Sequence, residues 1–127
     1  MKPAERLELA RGQLSKVQVA WLQPTDWADL TIYGMHALEN AVVAAANHHG
    51  LEVKKTHPDK TAVAQRLHEG HHLPDVSELL TELNELRKGF SYGEPTLEPS
   101  MSAEDIAAVI EEYIDAVARV IGEPEAT

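Results

Sequence analysis

The sequence predicts an all-α domain, an up-and-down bundle of four main helices plus a short one. Three observations predict it. Apolar residues recur in steps of three and four along most of the chain, prolines fall at the ends of those stretches, and no run shows the strict alternation of a half-buried strand.

The stretch Asp75 to Tyr92, DVSELLTELNELRKGFSY, is the element on which the bundle is expected to be organised, because Val76, Leu79, Leu80, Leu83, Leu86 and Phe90 recur at helical spacing. Asp75 can cap it, with Glu78 three residues on as the reciprocal partner of a capping box, and Gly89 should end it. Before it, from about Pro3 to Gln23, Leu7, Ala10, Leu14, Val17 and Trp21 form one stripe of a first helix that Pro24 ends. Thr25 or Asp26 can cap a second, alanine-rich helix burying Trp27, Leu30, Ala37, Leu38, Ala41, Val42 and Ala45 and stopping at Gly50. Gly34 and the small alanines would let a neighbouring helix approach closely, within the fold or across a subunit interface.

The connection Leu51 to Thr56 is charged and without period. His57-Pro58 starts a short helix carrying Ala62, Val63, Arg66 and Leu67 and bounded by Gly70 and Pro74. Gly93, Pro95 and Pro99 mark the segment between Gly89 and Ser100 as a loop. Ser102 and Asp105 cap a last helix with the stripe Ile106, Val109, Ile110, Tyr113, Ile114, Val117, Val120 and Ile121, ending at Gly122. Residues 1–122 are thus expected to form a single bundle and residues 123–127 a disordered tail.

Composition bounds the function. The 127 residues hold 21 acidic and 11 basic side chains, a formal charge of −10, and protonating all seven histidines would still leave −3. Such a chain repels phosphate backbones at long range, so any nucleic-acid contact must be local. The lack of cysteine excludes disulfides, thiolate chemistry, iron–sulfur clusters and cysteine-bearing zinc sites. Scattered charges at the N-terminus do not fit a signal peptide, and the apolar run Ala41 to Ala46 is too short to span a bilayer, so a soluble cytoplasmic protein without membrane contact is expected.

Three groups could carry chemistry. His68-Glu69-Gly70-His71-His72 fits the H-E-x-x-H pattern, in which His68 and His72 would hold zinc and Glu69 would activate water. Gly70 inside the motif and Pro74 just after it weaken the helix that such geometry needs, and a solvated histidine turn is the competing reading. His36 and Glu39 stand three apart on the second helix, as a buried polar pair or as the lining of a groove. Asn84 and Arg87 lie on the edge of the Asp75–Tyr92 stripe, where Arg87 could simply pair with Glu82, Glu85 or a residue of the second helix. His48-His49, just before Gly50, suit the negative end of a helix dipole.

The segments GMHALENAVVAAA, KKTHPDKTAVAQRL, LLTELNELRKGFSYGE and SAEDIAAVIEEYIDAVARVI, in that order, give the chain from about Leu30 to Ile121 a pattern that resembles the HEPN superfamily of helical domains. The resemblance implies an up-and-down bundle that forms a homodimer, with the polar motif of the third main helix facing a cleft between subunits. Ribonuclease members carry an arginine, four to six intervening residues and a histidine, and cleave RNA without metal. Arg87 matches that arginine, Asn84 is its preceding polar partner, and Tyr92 stands where the histidine would be. A phenol with a pKa near 10 is a poor general acid–base at neutral pH.

The resemblance therefore implies a binding or partner module without catalysis or cofactor, of the kind attached to toxin–antitoxin or phage-defence loci, that takes nucleotide or RNA at Arg87, Tyr92, Asn84, His36 and Glu39. The enzyme alternative is a metal-independent ribonuclease in which His36 or His57 supplies the missing imidazole beside Arg87. A zinc hydrolase at His68, Glu69 and His72 is the third.

Overall fold

A computed structural model describes residues 1–91 and 98–122. Five helices, α1 (Pro3–Ala20), α2 (Trp27–His48), α3 (His57–His71), α4 (Ser77–Ser91) and α5 (Ala103–Ile121), form the expected all-helical bundle, and the described residues contain no strand. None of the helices is long and apolar enough to cross a membrane. Tyr92 and residues 123–127 lie outside the described residues.

The ends follow local chemistry. Asp26, Thr56 and Ser102 cap α2, α3 and α5, each side chain accepting the N–H of the residue three positions on. Gly50 and Gly122, at φ 71° and 75°, take the left-handed turns that follow α2 and α5. α1 stops at Ala20, short of Gln23, because the Asp26 N–H takes the Ala20 carbonyl and the Thr25 hydroxyl takes that of Trp21. At α4, Asp75 accepts the N–H and hydroxyl of Ser77, which replaces the capping box expected with Glu78. α3 runs through Gly70 to His71 and, at 15 residues, is as long as α4. Glu82 fixes the far end of the α4–α5 connection by accepting both the N–H and the hydroxyl of Ser100.

The apolar stripes are buried as their spacing requires: Leu7, Ala10 and Val17 of α1, Leu79, Leu80 and Leu83 of α4, and Ile106, Ile110, Tyr113, Ile114 and Val117 of α5 share one core, and Leu86 of α4 is buried as well. On α3 the buried residues are Val63, Ala64 and Leu67, whereas Ala62 and Arg66 face solvent. The centre of the bundle, however, is α2 rather than α4. It packs against each of the other four helices, and Ala37, Ala41, Ala44, Ala45 and Ala46 are fully buried along it.

Gly34 sets how closely this can happen. A Cβ there would stand 3.1 Å from Ile110 Cδ1, 3.6 Å from Leu83 Cδ1 and 4.0 Å from Val17 Cγ2, so one residue lies against α5, α4 and α1 together. Gly34→Val should destabilise the fold by about 1–3 kcal/mol through overpacking, read as a lower urea midpoint. An unchanged midpoint would mean that these helices separate at little cost.

Candidate functional site

His36, Glu39, Asn40, Val43 and Asn47, spaced by three and four, form one stripe along the side of α2. This stripe floors a cleft of about 580 Å³, completed by Arg6 and Gln13 of α1, Val53, Lys54 and Lys55 of the α2–α3 connection, and His57 and Lys60 of α3.

Glu39 is the pivot of this cleft. Although only 5% exposed, it is satisfied on both oxygens: His57 Nδ1 donates to Oε2 at 2.5 Å, and Lys60 Nζ lies 3.7 Å from Oε1. Burying an unpaired carboxylate would be costly, and the two partners from the first turn of α3 offset that cost while fixing α3 against α2. A neutral His57 that donates through Nδ1 keeps Nε2 as an acceptor.

The remaining walls are equally fixed. Arg6 donates to Asn40 Oδ1 at 3.2 Å, and Asn40 in turn donates to Gln13 Oε1 at 2.8 Å. The Arg6 Nε is buried without a partner. The Lys54 N–H donates to Asp59 Oδ2 at 2.6 Å, which pins the connection to α3 and sets Lys54 and Lys55 at the cleft. Burial holds the His36 imidazole below its ordinary pKa; Glu39 opposes this, while His57, Lys60 and Arg87 push the same way.

The charge is concentrated. Arg6, Lys54, Lys55 and Lys60 are four of the 11 basic residues and Glu39 is one of the 21 acidic ones, so the cleft carries a net +3 and the rest of the chain −13. Cations held around a concave site are suited to phosphate or another multiply charged anion.

Of the residues expected from sequence, His36, Glu39 and His57 line this cleft. Glu39 pairs with His57 and Lys60 instead of forming an isolated pair with His36. Asn84 and Arg87 lie behind it on α4, where Arg87 Nη2 donates to Asn84 Oδ1 at 3.0 Å and Nε is buried without a partner. Arg87 does not pair with Glu82 or Glu85, which bind Ser100 and Lys88. Tyr92 falls outside the described residues.

In the HEGHH segment, His68 Nδ1 donates to the Leu73 carbonyl at 2.8 Å and Glu69 accepts from Gln65. His72 lies past the end of α3 at φ 60°, so His68 and His72 do not share a helical face. Among the described residues no three histidine or carboxylate side chains are placed to hold a metal. His71 instead stacks on His49, with ring centroids 3.7 Å apart, and His48 meets His49 edge-on at 5.0 Å.

Comparison with protein-family models, with curated proteins and with solved structures gives no significant match. Sequence reasoning passed over Arg6, Lys54, Lys55 and Lys60. The signal for three of them was present as Lys54, Lys55, His57 and Lys60 within seven residues of an acidic chain. Arg6 was not foreseeable, because only the pairing of α1 with α2 brings it to the cleft.

The histidines predict a pH dependence of stability. Burial, with His71 and His48 beside it, lowers the pKa of His49, and burial lowers that of His36. Each ring therefore binds its proton more readily when the chain is unfolded, so their stabilisation is complete above about pH 6.5 and is lost as pH falls below it through the lowered folded-state pKa. Thermal melts from about pH 7.5 to pH 5 should show a falling melting temperature, with a shallower fall in His49→Asn and His36→Asn. Parallel profiles in all three proteins would contradict the assignment.

Proposed function

We propose that this chain is a helical binding module, without catalysis of its own, whose phosphate-bearing ligand sits in the cleft between α1, α2 and the start of α3. One observation carries the reading: four cations line a cleft that holds a single buried carboxylate, on a chain that is otherwise strongly acidic. The HEPN resemblance supports the same ligand class, since nucleotide or RNA binding is what it implies. It also singles out Asn84 and Arg87, which are bonded to each other on α4 outside the cleft lining.

The double variant Lys54→Ala/Lys55→Ala tests the site. Titration calorimetry with ATP and with single-stranded RNA should show at least one of them binding, and about thirtyfold more weakly to the variant, since each of the two lost cations is worth about 1 kcal/mol. Both lysines are exposed, so the melting temperature should not move. Equal affinities in the two proteins would remove the cleft as the site.

A second reading is favoured by one arrangement, the Glu39 carboxylate that orients His57 together with the Arg87 charge that acts on His36. Two imidazoles and a guanidinium in one region suit a metal-independent ribonuclease, with His57 Nε2 as the base for a 2′-hydroxyl. EDTA-treated protein would then cleave RNA, and His57→Ala and Arg87→Ala would each abolish cleavage. RNA left intact by the wild-type protein would exclude it.

A further inference from the structure

The division of charge bears on how large the ligand is. Within the cleft an anion meets Arg6, Lys54, Lys55 and Lys60, with Glu39 already occupied by His57 and Lys60. Outside it the chain carries a net −13, and the borders of the cleft are themselves acidic: exposed Glu5 precedes Arg6 on α1, and exposed Glu52 stands two residues before Lys54. Screening does not erase this contrast, because charges within about 8 Å still act on one another at physiological ionic strength. A phosphodiester strand long enough to leave the cleft would carry its next phosphates over repelling surface. The cleft is also small, its volume of about 580 Å³ lying in the range of small-molecule sites rather than of grooves that track a strand.

Its lining has the composition that a compact, highly charged ligand requires. The cations come from three separate segments, α1, the α2–α3 connection and α3, so they surround a ligand instead of forming the linear track that suits a polymer backbone. Two of them are positioned before any ligand arrives, Arg6 by Asn40, itself held by Gln13, and Lys60 by Glu39. Val43 and Val53 supply an apolar wall beside the charges.

Resting on the phosphate-binding reading above, we infer that the cleft takes a compact polyphosphate, two or three directly linked phosphate groups, in preference to an extended nucleic-acid strand. Adjacent phosphates place their full charge inside the ring of cations. A strand places one or two phosphates there and the remainder outside.

Calorimetry on the full chain tests this with three probes: inorganic tripolyphosphate, orthophosphate, and a single-stranded 2′-O-methyl RNA of about 15 nucleotides, which overruns the cleft and lacks a free 2′-hydroxyl. Tripolyphosphate should bind about tenfold or more tightly than either other probe. Lys60→Gln and Lys54→Ala/Lys55→Ala should each weaken it, while Lys88→Gln, on α4 and paired with Glu85 outside the cleft, should not. RNA binding more tightly than tripolyphosphate would overturn the preference for a compact ligand and leave the phosphate site standing. Equal affinity for orthophosphate and tripolyphosphate would also overturn it. No binding of any probe would overturn both this inference and the reading on which it rests.

Discussion

The bundle depends on the thinness of α2. Between Gly34 and Ala46 its buried positions are occupied largely by glycine and alanine, which let α1, α4 and α5 each approach it closely; a Cβ at Gly34 would meet Val17, Leu83 and Ile110. Leu30, Met35, Leu38 and Val42 of the same helix are buried beside these small residues, so α2 both fills the core and admits its neighbours. The same closeness leaves α2 one side on which polar residues can stand, the stripe from His36 to Asn47. The position of the cleft is thus a consequence of the packing: it opens where the wrapping of α2 stops.

Polar groups on that stripe must be satisfied by what lies across from them, and this explains how the cleft is held together. Asn40 is bonded to both Arg6 and Gln13, tying the stripe to α1, while Glu39 ties it to α3 through His57 and Lys60. α3 contributes just three buried residues, so the buried carboxylate matters more to its placement than an ion pair would on a well-anchored helix. At its other end α3 is held by the stacking of His71 on His49 and by its own His68 on the Leu73 carbonyl. α3 is thus fixed by polar and aromatic contacts at its two ends and by a short apolar patch between them.

Most of the fold was legible in the sequence because it is written in local terms. The stripes of α4 and α5 and the caps at Asp26 and Ser102 need only neighbours three or four residues away, and they stand where the spacing places them. The error about which helix is central has a physical source. Regular apolar spacing beside the polar residues Asn84 and Arg87 singles out α4, whereas centrality comes from small residues, whose effect depends on what surrounds them. The site was half legible. His36, Glu39 and His57 could be picked out as polar residues on otherwise apolar or helix-starting segments, but the bond between Glu39 and His57 spans 18 positions and joins two helices. Arg6 joins a residue 34 positions away, and no periodicity encodes such a pairing. The zinc motif shows the converse, since spacing in sequence promised a shared helical face that the left-handed residue at His72 removes.

A basic cleft on an acidic chain behaves differently from a basic patch on a basic protein. Within about a screening length of the surface an approaching anion meets a chain whose net charge is −10 and is repelled; the attraction of Arg6, Lys54, Lys55 and Lys60 takes over only within the last few ångströms. The long-range field therefore slows encounter for every anion, most of all for polymers that present many charges at once, while affinity is set by how much charge a ligand can place inside the ring of cations. Selection by size follows from electrostatics alone, without any contact that reads the chemical identity of the ligand. Salt weakens the near attraction and the far repulsion together, so binding here depends less on ionic strength than an equal number of phosphate contacts would on a basic protein. The excess of carboxylates across the chain is in this sense part of the site, because it excludes the ligands that the cleft is too small to neutralise.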